Sequence, residues 1–260
     1  MRQVDMYFDG TWEGILTAVF EVFEHRVFPL TLQHSKVQQQ GMFQSVHEVL
    51  SQPEKAARVK KGLLEKVGKM GYQELWHAFL SELPESPCLI VRMATYYFQE
   101  QQNVRQNFGH DLVIQLKKIV KSVSRERHRM KAFTRFQRLK DGLFVALIEP
   151  DFNVLPLIQK HFQDRYADQR WLIFDIRRHY GIYYDEQACN EVTFGDQGGG
   201  ANNRMLIDLY AEEEPLYADL WKRYFKSVNI VERKNMKLHL QHVPRRYWRH
   251  LHEKSFGLEG

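Results

Sequence analysis

Apolar and polar positions along this chain follow two different periods, and the change falls near residue 132. Residues 2–7 alternate as a short strand, and Asp9-Gly10 punctuates it. Thr11 reads as a helix N-cap with Glu13 in the first turn, where the helix dipole favours an acid. Ile15, Leu16, Val19, Phe20 and Phe23 then fall on one helical face. Residues 31–41 are polar and glutamine-rich, which predicts a loop or weak helix. Helical spacing resumes over 53–66 and 71–82, separated by Gly68 and Gly71, and again over 89–101 and 111–128. The chain up to residue 131 is therefore expected to be a mainly helical layer.

From residue 132 the period shortens. Residues 132–139 and 143–148 alternate as strands about a Lys140-Asp141-Gly142 turn. Residues 153–162 read as a helix, with Pro156 tolerable because it falls in the first turn. Residues 171–176 and 181–184 are two further strands, and 190–194 adds a fifth. The order β-β-α-β-β predicts a small antiparallel sheet with a helix on one face, hence an α+β fold. The glycine run at 198–200 is a break, after which 212–228 carries a helical stripe and Pro244 opens a closing helical segment. The expected regions are 1–131 (helical), 132–196 (α+β) and 201–260 (helical, with a basic and aromatic end). No linker between 123 and 132 looks flexible, so they are expected to interlock as one unit.

Composition narrows the class. The 260 residues carry Lys+Arg 37 against Asp+Glu 32, a net charge of +5, which fits a polyanionic partner and also simple solubility. Cys 2 is too few for an all-cysteine iron–sulfur cluster or a four-cysteine zinc site, and fits a reducing, cytoplasmic setting. No segment approaches the roughly 20 apolar residues of a membrane span, and MRQVDMYFDG has no apolar signal core. The glycine run lacks the lysine and hydroxyl residue of a P-loop.

Two sets of residues are candidates for chemistry. Arg129, Arg135, Arg245 and Arg246, with Trp248, pair guanidinium groups with an aromatic face, which suits phosphate contact and base stacking. Packing of Tyr247 and Trp248 in a short closing helix explains the same pattern. Glu149, Asp151, His161 and Asp175 lie at segment ends and would serve as acids and bases if the protein is an enzyme. Asp175 beside Arg177 and Arg178 reads equally well as an internal ion pair. Nothing resembles HExxH, so neither a metal nor a cofactor is expected.

FDGTWEGILTAVFEVF, the H-R-M-x-x-F-x-R-F pattern over 128–136, IEPDFNVLPLIQKHF, ADQRWLIFDIRR, GIYYD and PRRYWRHL together resemble a bacterial family labelled as probable DNA metabolism proteins. The resemblance spans nearly the whole chain. It implies a gene neighbour that is a radical-SAM protein of DNA modification or repair. In some relatives a uracil-DNA-glycosylase-like domain follows the homologous region, and this chain resembles the form without it. With no CxxxCxxC present, radical chemistry is expected to belong to the partner. The expected function is a DNA-binding accessory to that partner. The alternatives are an enzyme acting on a DNA or nucleobase lesion, and a non-catalytic adaptor between proteins.

Overall fold

Strand β1 (Arg2–Phe8) buries Val4, Met6 and Phe8 on alternate positions, as its sequence period requires. The computed structural model describes residues 2–34, 46–140, 142–193 and 243–251, and the chain divides into two compact units, Met1–Arg125 and Glu126–Gly260. In the first unit, α1 (Trp12–Glu24) carries the chain across from β1 to β2 (Val27–His34). That crossover makes the two strands parallel, and β3 (Val46–Glu48) pairs parallel on the other side of β1. The sheet order is β2-β1-β3. Helices α2 (Pro53–Leu80), α3 (Ser86–Gln99) and the start of α4 (Asp111–Phe133) complete the unit, with α1 packed on α2 and α3. Trp12 donates its indole N–H to the Tyr72 hydroxyl at 2.7 Å and lies edge-on to Trp76 at 5.3 Å, which ties α1 to α2.

Several local expectations hold. The Thr11 hydroxyl accepts from the Gly14 amide at 2.9 Å, the bond of an N-cap. The break placed at Gly68 is a kink inside α2, where Gly68 takes φ 70°. Gly142 turns the β4–β5 hairpin at φ 84°. The first region nevertheless holds a sheet as well as helices. Residues 31–34, expected to be irregular, belong to β2. Pro29 hid that strand, since it removes a ladder donor, and the register slips there: Val4 pairs with Pro29, but Asp5 pairs with Thr31.

In the second unit the strands are β4 (Gln137–Arg138), β5 (Phe144–Ile148), β6 (Trp171–Asp175), β7 (Tyr180–Tyr184) and β8 (Cys189–Thr193). With α5 (Leu155–Arg165) between β5 and β6, the expected β-β-α-β-β order, with its fifth strand, is present and the fold is α+β. The expectation of a wholly antiparallel sheet is corrected. In the order β4-β5-β6-β7-β8 the β5–β6 pair is parallel, because α5 returns the chain to the end from which β5 set out. The other pairs are antiparallel. The Phe-Thr-Arg-Phe alternation also mislocates the first strand: α4 continues to Phe133, and Thr134 bonds back to the Met130 carbonyl through its hydroxyl at 2.6 Å.

One sheet face packs Leu139, Val145 and Leu172 with Leu147, Phe174, Tyr183 and Val192. On that same face β6 and β7 touch so closely at Gly181, opposite Phe174, that an added Cβ would lie 2.8 Å from the Ile173 carbonyl oxygen. A short 3-10 helix, Arg245–His250, occupies the expected closing segment. The glycine run at 198–200 and the helix expected over 212–228 lie outside the described residues.

Candidate nucleic-acid interface

The register sets Phe144, Ala146 and Ile148 opposite Trp171, Ile173 and Asp175, and these opposite Tyr184, Ile182 and Tyr180. Directly paired residues point the same way, so all share one face of the sheet. Trp171 and Asp175 sit at opposite ends of β6, about 13 Å apart along an extended strand. The functional candidates of this unit fall at one end or the other.

At the Phe144–Trp171 end lies a cavity of about 570 Å³. Aromatic rings from three elements form much of its wall: Phe136 before β4, Phe162 and Tyr166 on and after α5, and Trp171 on β6. They hold one another in place, with Phe136 edge-on to Phe162 at 5.7 Å and to Tyr166 at 5.4 Å. Lys131, Arg135 and Arg165 supply positive charge, His161 joins them, and the lining contains neither aspartate nor glutamate. The His161 imidazole titrates below its ordinary range, first because it is partly buried and then because Lys131 and Arg165 repel a proton. The Arg135 guanidinium donates to the Ala132 carbonyl at 2.7 Å, placing a cation at the end of α4 where the helix dipole is negative. Trp171 is 1% exposed, and its indole N–H has no hydrogen-bond partner among the described residues. A buried donor left in that state costs about 1–3 kcal/mol until an acceptor reaches it.

At the other end the chain gathers around a carboxylate that the sequence did not single out. Glu126 on α4 is 2% exposed. Its oxygens accept the Tyr247 hydroxyl at 2.6 Å and the Asp151 amide at 2.9 Å, with Arg246 at 3.4 Å and Arg129 at 3.7 Å. Arg246 also reaches Asp151 at 2.6 Å and donates to the Tyr247 oxygen at 2.6 Å. Burial, reinforced by the Glu126 charge, pushes the Tyr247 phenol well above its ordinary range and keeps it a donor. Burial opposes the charge on Arg246, but Tyr247, Asp151 and Glu126 outweigh it and raise its pKa.

Asp175 is fully buried and pairs with Arg178 at 2.8 Å while accepting the Arg177 and Arg178 amides. Arg178 extends to the carbonyls of Pro150 and Asp151 at 3.1 and 3.2 Å. The internal ion pair read at Asp175 is thus present. It also tethers the loop after β5.

The candidates therefore separate. Among the nucleic-acid residues, Arg135 lines the cavity, whereas Arg129 and Arg246 are ion-paired around Glu126. Arg245 is exposed above the Trp248 ring at 5.8 Å, and Trp248 donates its indole N–H to the Val243 carbonyl at 3.1 Å. Among the acid–base residues, His161 lines the cavity, while Asp151 and Asp175 belong to the ion-pair network at the far end. Glu149 stands 3.8 Å from His250. Lys131, Phe136, Phe162, Arg165, Tyr166 and Trp171 were not singled out as a group. The interleaving of bases and aromatics over 131–171 was the available signal, but only the packing of α5 on β6 shows which of them share a wall.

No helix among the described residues is long and apolar enough to cross a membrane. No curated protein and no solved structure matches the chain. A family model does match, over residues 84–253, more than half of the length. The chain belongs to that family, the domain of unknown function DUF4130.

Proposed function

We propose that this protein binds nucleic acid and that the cavity beside Trp171 receives an unpaired nucleotide, as an accessory in DNA metabolism. The observation that carries the reading is the lining itself: aromatic walls, three cations and no acid. Aromatic faces stack on bases at about 1–3 kcal/mol each, and Lys or Arg heads take the phosphates. The volume falls within the range of small-molecule sites, roughly 300–1,000 Å³. The buried Trp171 N–H is a donor in want of a carbonyl or phosphate oxygen. Arg245, exposed on the 3-10 helix, and the half-buried Trp248 beneath it would extend the contact along the strand. A duplex base is walled in by its neighbours, so a single strand is the favoured form. The radical-SAM protein implied by the resemblance is the proposed partner, to which the bound strand would be presented.

The test is anisotropy of fluorescent single- and double-stranded DNA titrated with the full chain over a salt series. Micromolar binding that prefers single strands and weakens steeply with salt is expected. Lys131→Ala with Arg165→Ala should weaken it about tenfold or more and flatten the salt slope by about two contacts. Unchanged affinity in that double variant, or no binding at low salt, refutes the reading. A pull-down of the radical-SAM protein with the full chain tests the partner independently.

A further inference from the structure

The second half of α1 carries Glu21 and, one turn on at its C-cap, His25, so both side chains project from one face of the helix. His47, the middle residue of β3, approaches the same spot. Each offers a ligand atom, and the three atoms lie within 4.8 Å of one another. The His47 Nε2 is 2.7 Å from Glu21 Oε2, and the His25 and His47 rings are 5.4 Å apart. We propose that Glu21, His25 and His47 form a binding site for a divalent first-row transition-metal ion.

The donor chemistry selects the ion. Two imidazoles with one carboxylate suit zinc, cobalt, nickel or ferrous iron, whereas calcium and magnesium take oxygen ligands. Three protein ligands leave at least one coordination position for water or substrate. The Glu21–His47 hydrogen bond shares a proton between a carboxylate oxygen and a ring nitrogen, and a metal ion would take the place of that proton.

Electrostatics agree with the geometry. Glu21 is 5% exposed, and among the described residues its partners are His47 on Oε2 and Lys55 at 3.7 Å on Oε1. Unlike Glu126, it receives no backbone amide there. Lys55 is held mainly by Glu24, whose carboxylate accepts its ammonium at 2.5 Å, against 3.7 Å for Glu21. Glu21, Glu24 and Lys55 together leave one negative charge beside two imidazoles. His25 stands at the C-terminal end of α1, where the helix dipole also favours a cation. Lys55 opposes the ion, but its ammonium lies on the oxygen that His47 does not use.

The experiment titrates Co²⁺, then Zn²⁺, into the chelator-treated full chain, reading visible absorption, metal content by mass spectrometry and Tm. One equivalent with visible ligand-field bands, and a Tm raised by Zn²⁺, are expected. His25→Ala, Glu21→Gln and His47→Ala should each weaken binding by more than about tenfold and abolish the Tm shift. The His25 side chain is half exposed, so His25→Ala leaves the fold intact and isolates the ligand role. Absence of stoichiometric binding overturns the proposal. So does undiminished affinity in His25→Ala with His47→Ala, which would place the ion on other histidines. DNA binding is untouched by either result.

Discussion

Glu21 in the first unit and Glu126 in the second are the same residue type, both on helices, at 5% and 2% exposure. Their surroundings differ in kind. Glu126 is saturated: a phenol, a backbone amide and two guanidinium groups converge on its two oxygens. Glu21 meets one imidazole and, at longer range, one ammonium. A buried carboxylate is tolerated only when its lone pairs are filled. A saturated one serves the fold, whereas one closed by a single exchangeable proton is open to a cation. Burial alone would have ranked them equal; the donor inventory separates them.

The largest expected effect follows from that saturation. Glu126→Ala leaves Arg246 and Arg129 without their shared carboxylate and should cost about 3–5 kcal/mol, read by urea denaturation at neutral pH. Glu21→Ala should cost far less. Equal losses would break the contrast.

Tyr247→Phe tests the same site more gently. It removes the one hydroxyl donated to Glu126 while keeping the ring packed on Phe133 at 5.5 Å. A loss of about 1.5–3 kcal/mol is expected, the range for hydrogen bonds to charged groups. A neutral result would show that the arginines alone satisfy Glu126.

Glu21→Gln keeps an acceptor for His47 and should change stability by no more than about 1 kcal/mol without metal. Its effect is expected in Zn²⁺, where the stabilisation of the parent chain should be missing. A melting comparison with and without the ion reads both quantities.

The smallest effect belongs to a third carboxylate, exposed Asp9, which accepts the Thr11 amide at 2.9 Å and the Ser51 hydroxyl at 2.6 Å. Partial burial alone would raise its pKa, but the bonds from Ser51 and Thr11 outweigh it and hold the group below the ordinary range. Its stabilisation is therefore complete above the unfolded value near pH 4 and is lost as pH falls through the lower folded value. Asp9→Asn should cost a few tenths of a kcal/mol at pH 7 after solvent screening. That difference should disappear in an acid series towards pH 2. A gap that widened in acid would reverse the sign of the argument.

Much of the local structure was legible in the residues. Thr11 with Glu13 announced the start of α1, Pro156 the start of α5, and Gly142 a turn. Asp175 next to Arg177 and Arg178 read equally as an ion pair or a working acid, and the pair with Arg178 is present. These are short-range effects, decided within a few residues by caps, fixed dihedrals and neighbouring charge. The candidate site was legible only in its ingredients. Arg135 and His161 were singled out and do line one cavity, but Arg246 and Arg129 looked like free cations and are ion-paired at the other end.

The sequence by itself therefore determined the α+β class and most of the element types, because period and capping act through the local backbone, but it did not give strands β2 and β3. Which strands run parallel, and whether an arginine meets a phosphate or a carboxylate, was decided only by the tertiary structure. Tyr247 and Glu126 are 121 positions apart. The β5–β6 direction depends on where α5 returns the chain, and the aromatic wall exists only once α5 lies on β6. Contacts at such separation leave no periodic trace along the chain, since what selects them is the shape and charge of surfaces that form after the elements do.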